Sequence, residues 1–338
     1  METQSKKIAV LILNWNGCEL LKRFLPYVVE HNSPEADIIV IDNASDDDSL
    51  AYLESAYPTI QRIEFQENYG FAKGYNKAIK KVNHEYVVLL NSDVRVSENW
   101  LNPPFEFMKS NPNYAACQPK ILDENDPLKF QYAGACGGFI DKFGYPFCRG
   151  RIFETLETDE GQYNTIKDIF WASGAALFIR RKEYLQIGGL DASFFAHQEE
   201  IDLCWRMLNK GFKIACIPES IVYHLGGASL DKAQPRKTFL NFRNNLVMLL
   251  KNLPFYALPI IFLRLLLDGV AGVKLITEGK LSHCFAIIKA HFSFYSRIPS
   301  VLFNREKTRK IKGSIKYKRS ILSDYYLKGI KRFNKLNW

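Results

Sequence analysis

The stretch Tyr86-Val87-Val88-Leu89-Leu90-Asn91-Ser92-Asp93 decides the fold. Its five leading residues form an unbroken apolar or aromatic run that stops at polar turn residues, the pattern of a strand buried on both faces. Outward from it, Ile8 to Leu13 is a second such run and Asp37 to Ile41 a third, ending at Asp42; Ile63 to Phe65 is a shorter one. Helical spacing separates them. Cys18 to Val29 places Leu20, Leu21, Phe24, Leu25 and Val28 on one stripe, Ser49 to Tyr57 follows the acidic run Asp46-Asp47-Asp48, and Ala72 to Val82 reads as a helix. Acidic residues suit a helix N-terminus because the backbone dipole is positive there. The βαβαβ order predicts a doubly wound, mostly parallel α/β sheet flanked by helices.

Ligands of such sheets bind at the carboxyl ends of the strands. Three strand ends here carry polar clusters: Asn14-Trp15-Asn16, Asp42-Asn43-Ala44-Ser45 and Asn91-Ser92-Asp93. Asp93, just past a buried strand, is placed to hold a hard cation, although Asn-Ser-Asp also makes an ordinary turn. Asp42 either accepts hydrogen bonds from a base or ribose, or caps the turn that follows it. In the segment from Asn68 to Asn76, glycines permit close backbone approach and a helix start favours phosphate. Glu199-Glu200-Ile201-Asp202-Leu203-Cys204-Trp205-Arg206 is the richest cluster. A helix from about Glu199 to Lys210 sets Glu199, Asp202 and Arg206 near one face, with Glu200 turned by about 100°. A positioned general base is one reading; a surface Asp202–Arg206 pair is the other. His224 reads either as a ligand or as a structural histidine.

Composition bounds the alternatives. The 338 residues, 47% hydrophobic and 24% charged, exclude a disordered chain. The 7 cysteines are odd in number and contain no CxxC pair, which fits a reducing compartment better than a disulfide framework. The net charge of +9 is concentrated at the end: residues 304–338 hold 12 Lys or Arg against 2 acids. No aromatic-and-basic nucleic-acid module is evident, so nucleic acid is not an expected partner. Leu253 to Leu275 is strongly apolar but is interrupted by Arg264, Asp268 and Lys274, which predicts an interfacial rather than a spanning segment. The basic tail, with Tyr317, Tyr325, Tyr326, Phe333 and Trp338, is expected at an anionic membrane surface; oligomerisation or packing is the other use of these helices.

Together the motifs resemble the inverting glycosyltransferases of family 2, which have the GT-A fold, and within them the rhamnosyltransferase-like branch. The matching segments are Leu13-Asn14-Trp15-Asn16-Gly17, Asp42-Asn43-Ala44-Ser45-Asp46, Asn68-x-Gly70-Phe71-Ala72-x-Gly74-x-Asn76, Leu89-Leu90-Asn91-Ser92-Asp93, Ser173-Gly174-Ala175, Glu199-Glu200-x-Asp202-Leu203-x-x-Arg206, His224-x-Gly226-Gly227-x-Ser229 and Arg243-Asn244. They run in the family's order over about residues 6 to 250. The resemblance implies a nucleotide-sugar site of Asn14, Asn16, Asp42, Asn43, Ser45, Asn68, Gly70, Phe71, Gly74, Asn76, Asn91 and Ser92. It implies Mg2+ or Mn2+ on Asp93, with His224 as a further ligand, and a base at Glu200 or its neighbour Glu199. It implies an acceptor pocket of Trp171, Ser173, Gly174, Asp202 and Arg206. Two positions depart from the family pattern: Asn91 stands where an Asp often opens the metal motif, and Glu200 where the base is usually Asp.

The expected organisation is a GT-A nucleotide-sugar domain over residues 1–235 and a helical, basic, membrane-associating region over 236–338. The expected reaction is metal-dependent, inverting transfer from a nucleotide-diphosphate donor, dTDP-rhamnose or a UDP-sugar, to a hydroxyl of a glycan or lipid-linked acceptor in cell-surface polysaccharide synthesis. The expected location is peripheral, on the cytoplasmic side of the plasma membrane. The alternative is a non-catalytic nucleotide-sugar-binding or assembly protein on the same fold.

Overall fold

The computed structural model describes residues 6–226, 234–306 and 315–338. Gly227 and Ser229 of the histidine motif, and Lys307, Arg309, Lys310 and Lys312 of the basic tail, lie outside the described residues. The chain opens with β1 (Ile8–Asn14), α1 (Cys18–Glu30), β2 (Ala36–Asp42), α2 (Ser49–Ala56), β3 (Gln61–Glu64), α3 (Gly70–Lys81) and β4 (Tyr86–Asn91). These four strands pair in parallel, in the spatial order β3-β2-β1-β4. Alternate residues of β1 enter opposite cores: Leu11 packs on the side of α3, and Val10 and Ile12 on the side of α1. That two-sided burial is why the runs are continuously apolar.

The sheet then turns mixed. It continues through β5 (Val94–Val96), α4 (Asn102–Ser110) and β6 (Tyr114–Asp123). A small four-stranded sheet follows, formed by β7 (Gly138–Ile140), β8 (Pro146–Cys148), β9 (Arg151–Ile152) and β10 (Thr155–Leu156). Beyond it come β11 (Lys167–Asp168), β12 (Ala176–Arg180), α5 (Arg181–Gln186), α6 (Glu199–Lys210) and β13 (Lys213–His224). Strand β12 runs antiparallel between β4 and β6, and β13 lies parallel to β6. Periodicity does not mark β6 and β13 as strands, because both carry prolines and polar residues. Within β6, Gln118 accepts the Ser173 N–H (2.9 Å) and Lys120 pairs with Asp159, so polar side chains are buried with partners. The β13–β6 register shifts between Ile217 and Ile221, around Pro218.

Three helices close the chain: α7 (Pro235–Asn252), α8 (Pro259–Thr277) and α9 (Leu281–Phe303). In α8 the polarity is inverted. Arg264 and Asp268 are buried and paired at 2.8 Å, whereas Phe262, Leu263, Leu266, Val270, Val273 and Ile276 are exposed. On α9, Phe285, Ile288, Phe292 and Tyr295 extend this outward apolar surface. Among the described residues no helix is long and apolar enough to cross a membrane. The tail departs from its expected place. Tyr317 and Phe333 are buried against Phe139 and Phe147 of the small sheet, and the Tyr325 hydroxyl meets Thr155 Oγ1 at 2.8 Å. These rings close an intramolecular core; of the five expected at a membrane surface, Tyr326 and Trp338 are exposed.

Candidate active site

The carboxyl ends of β1, β2 and β4 supply one wall of a cleft. Asp42 does both things its position allows. One carboxylate oxygen accepts the Ser45 N–H (3.0 Å), and the other is buried without a partner. The Asn14 amide donates to Ser45 Oγ (3.2 Å), leaving its own oxygen unpartnered. Asn16, at φ +50°, joins the same knot: its N–H donates to Ser45 Oγ and its side-chain oxygen accepts the Asp46 N–H. A buried acceptor without a donor carries a desolvation cost, so the lone oxygens of Asn14 and Asp42 mark where a ligand donor fits.

The start of α3 is fastened to this wall. Asn43 donates to Asn68 Oδ1 (2.8 Å) and accepts the Tyr69 N–H (2.9 Å), while Asn68 accepts the Gly70 N–H (2.8 Å). Gly70 sits at φ +70° with open space where a side chain would be, which leaves room for a ligand at the helix start. Gly74 packs on Leu13, letting α3 approach β1. Asn76 does not face the cleft as a diphosphate contact. Its amide bonds the Leu190 carbonyl and N–H and the Tyr184 hydroxyl, anchoring the loop before α6.

Asn91 and Ser92 lead into Asp93 at the floor. Asp93 is 6% exposed, and its Oδ1 lies 3.1 Å from His224 Nε2, the last residue of β13. Burial raises the Asp93 carboxyl, but the hydrogen bond and charge of His224 outweigh it and hold the group below the usual carboxylate range. The β13–β5 pairing that sets His224 opposite Val94 creates the contact across 131 residues of sequence. His224 Nδ1 is buried without a partner. Among the described residues no cluster of three or more His, Cys, Asp or Glu could enclose a metal by itself. One carboxylate and one imidazole suit a divalent ion that takes its remaining ligands from substrate phosphates.

The facing wall is the N-terminus of α6. Glu199 and Glu200 are adjacent, and each has one carboxylate oxygen buried without a partner. Burial pushes Glu200 up to about 7, while the N–H groups of Glu200, Ile201 and Gln198 work in the opposite direction. Burial and the Glu200 charge raise Glu199 further. Two carboxyls this close cannot both ionise readily, so near neutrality Glu199 keeps its proton and Glu200 titrates. A side chain at Gly174 would lie 3.2 Å from the Phe71 ring and 3.8 Å from Glu200 Cβ, so this glycine joins α3, β12 and α6 at the cleft.

The other residues expected in an acceptor pocket are engaged elsewhere. Asp202 is 0% exposed and bonds Arg206 (2.8 Å), Lys251 (2.9 Å) and Asn252 (2.7 Å), so the pair is buried rather than on the surface. Arg206 also donates to the carbonyls of Ile187 and Gly189, which makes the pair a brace between α6, its preceding loop and α7. Trp171 packs over Gly138 and donates to the Phe139 carbonyl; Ser173 is buried and donates to the Ala133 carbonyl.

What sequence reasoning missed is the support of the Glu199–Glu200 pair. The loop ahead of it holds Phe195, His197 and Gln198 at φ +67°, +69° and +70°, a costly conformation for such residues. Arg243 and Asn244 of α7 hold that loop through the carbonyls of Phe194, Ala196 and His197. Asn245 donates to Gln198 Oε1 (2.9 Å) and accepts from Arg264 of α8, which is itself paired with Asp268. Arg243-Asn244 is the one legible trace of this clamp in the sequence.

Comparison with known proteins agrees with this geometry. The chain is 23% identical over 295 residues to the low-salt glycan biosynthesis hexosyltransferase Agl10 of Haloferax volcanii, covering 83% of this chain and 89% of that protein. It is 22% identical over 231 residues to the N-acetylglucosaminyl-diphospho-decaprenol L-rhamnosyltransferase of Mycobacterium tuberculosis, covering 64% of this chain and 75% of that one. Among solved structures it superposes on the mannosyltransferase PcManGT of Pyrobaculum calidifontis, in complex with GDP-Man and Mn2+, with a TM-score of 0.54 at 14% identity, covering 87% and 88% of the two chains. That likeness concerns the fold, which is GT-A. The family model described as Glycosyl transferase family 2 matches residues 9–182, just over half the chain, and with the cleft it establishes that this protein is a glycosyltransferase belonging to that family.

Proposed function

We propose that the chain catalyses inverting transfer of a sugar from a nucleotide-diphosphate donor, dTDP-rhamnose or a UDP-sugar, to a hydroxyl of a glycan or lipid-linked acceptor in cell-surface polysaccharide synthesis, at the cytoplasmic face of a membrane. The observation that carries the reading is a carboxyl raised to about 7, in a cleft whose opposite wall ends in Asp93 and His224. Asp42 and Asn14 offer their unpartnered oxygens to donors on the base or ribose. The open start of α3 at Gly70 accommodates the diphosphate. Asp93, with His224, would hold Mg2+ or Mn2+, which when bound neutralises charge developing on the diphosphate leaving group. Glu200 takes the proton of the acceptor hydroxyl, and its poise near neutrality suits a base. Glu199, protonated beside it, leaves the charge on Glu200.

The apolar faces of α8 and α9 support the membrane assignment, because exposed apolar side chains outside and charged ones inside reverse the usual order of a solvated helix. The experiment for the reaction is a nucleotide-sugar panel scored for nucleotide-diphosphate release, with and without Mg2+ or Mn2+ and acceptor. Metal-stimulated release from one donor is expected; inactivity across the panel with acceptor present defeats the reading. For the location, flotation should show the chain bound to anionic vesicles, and Phe262→Ser with Leu266→Ser should release it.

A further inference from the structure

Three guanidinium groups converge on the turn Ser193-Phe194-Phe195, immediately ahead of the carboxylate pair. Arg243 donates to the carbonyls of Ser193 (3.4 Å) and Phe194 (2.9 Å). Arg297 of α9 donates to the Ser193 carbonyl (3.4 Å), and the Arg236 guanidinium lies 4.8 Å from the Phe195 ring centroid. Asp191, which caps this turn by accepting the Ser193 N–H (2.9 Å), is taken by Lys251 at 2.7 Å. Among the described residues none of the three arginines forms an ion pair with a carboxylate. Arg243 is pushed down to about 10 by burial and by the Arg297 charge, the mark of cations gathered without a counter-ion. Such a gathering is offset by an anion that visits, and guanidinium matches phosphate oxygens in shape as well as charge.

The position of the cluster says which anion. On one side, α9 carries the exposed stripe Phe285, Ile288, Phe292 and Tyr295, which leads to Arg297 two residues on. On the other, the turn runs into Glu199 and Glu200 four residues after Phe195, itself half exposed. The donor wall is separate in origin, built from the ends of β1, β2 and β4. A molecule touching both the apolar stripe and the catalytic carboxylates has a hydrocarbon tail, an anionic linker and a sugar, in that order.

We propose that Arg236, Arg243 and Arg297 bind the diphosphate of a polyprenyl-diphosphate-linked acceptor, whose hydrocarbon lies along the α8–α9 surface and whose sugar hydroxyl faces Glu200. The proposal rests on the glycosyltransferase reading and adds to it the chemistry of the acceptor. A diphosphate can engage several guanidinium forks at once, which a single phosphodiester headgroup does less fully.

The test uses the full chain and the variant Arg236→Gln/Arg297→Gln, whose positions are exposed and half-buried, so the fold is spared. Flotation is measured with phosphatidylcholine vesicles carrying undecaprenyl diphosphate, and with phosphatidylcholine vesicles carrying phosphatidylglycerol at matched charge. The variant is expected to bind the diphosphate vesicles about tenfold or more weakly, one charge-assisted contact being worth roughly that factor. Its binding to phosphatidylglycerol vesicles should be unchanged, and inorganic pyrophosphate should compete only with the wild type on diphosphate vesicles. Equal losses on both vesicle types would make the arginines a general headgroup surface and overturn the proposal, as would no loss on either. Nucleotide-sugar affinity is read in parallel: a matching loss there assigns the arginines to the donor and also overturns it. Failure of the wild type to turn over any donor with acceptor present counts against the glycosyltransferase reaction itself, while the vesicle arms still decide the diphosphate site.

Discussion

The two walls of the cleft are built by different means. On the donor side, Asn14, Asp42, Asn43, Ser45 and Asn68 hold one another within the first 70 residues, next to strands that form the centre of the sheet. On the acceptor side, Glu199 and Glu200 sit at the head of a helix, and the loop that aims them is held by Arg243, Asn244 and Asn245, about 45 residues downstream. Arg264 and Asp268 extend that support into α8. The donor wall is therefore a local product of strand ends, whereas the base is a tertiary product that requires the C-terminal helices. This assigns α7 and α8 a part in catalysis as well as in membrane contact.

The largest effect expected from breaking either wall is at Asp93. Asp93→Ala removes the one carboxylate at the floor and leaves the buried His224 Nε2 without its partner. Transfer should fall on the order of a thousandfold, the scale of several kcal/mol of charge stabilisation. The metal dependence of donor binding, measured by titration calorimetry, should vanish with it. Retained metal-stimulated turnover would remove Asp93 from the site. Next in size is Glu200→Gln, which should lower kcat by roughly 100-fold or more while donor affinity holds. In the wild type, kcat should fall as pH drops through about 7, because the base must be ionised and burial has raised it there. Glu199→Gln should keep most of the activity; if it is the dead variant and Glu200→Gln the active one, the roles of the two residues are exchanged.

Legibility in the sequence follows the same division. Strands β1, β2 and β4 were readable because burial on both faces makes them continuously apolar, and the polar residues at their ends stood out by contrast. Strands β6 and β13 were not, because Gln118 and Lys120 are satisfied by partners 55 and 39 residues away, which no local window contains. Asp202 and Arg206 were legible as a pair at helical spacing, but their burial depends on Lys251 and Asn252. The aromatic tail misled for the same reason. Tyr317 and Phe333 have the composition of an interfacial segment, and Phe139 and Phe147, far away in sequence, draw them into a core.

A smaller effect tests the long-range support directly. Asn245→Asp is nearly isosteric and keeps an acceptor for Arg264, but it turns the donor facing Gln198 into a second acceptor. The loop ahead of Glu199 should relax by a fraction of an ångström. A misplacement of about 1 Å can cost about 100-fold, so a loss of roughly tenfold in kcat is expected, with the donor KM within about twofold. A rise in donor KM instead would show that the two walls are not independently built.

The smallest effect contrasts the two carboxylates through stability and has opposite signs at the two sites. Glu200 is raised in the folded chain, so the native state binds its proton more tightly than the unfolded state. The charged form then costs stability as pH rises from the ordinary glutamate range through about 7. Glu200→Gln removes that cost, so the variant's Tm should exceed the wild type's at pH 8 and converge with it near pH 5. Asp93 is lowered in the folded chain by His224, so its carboxylate stabilises the fold above the ordinary aspartate value, and this is lost as pH falls through the folded value. Asp93→Asn should accordingly lower Tm at pH 8 and approach the wild type in acid. Thermal scans of the two variants across pH 4 to 8, without metal, read both signs in one experiment. If Glu200→Gln is destabilising at pH 8, its carboxylate is better solvated or better paired than the cleft geometry implies, and the poised base loses its physical cause.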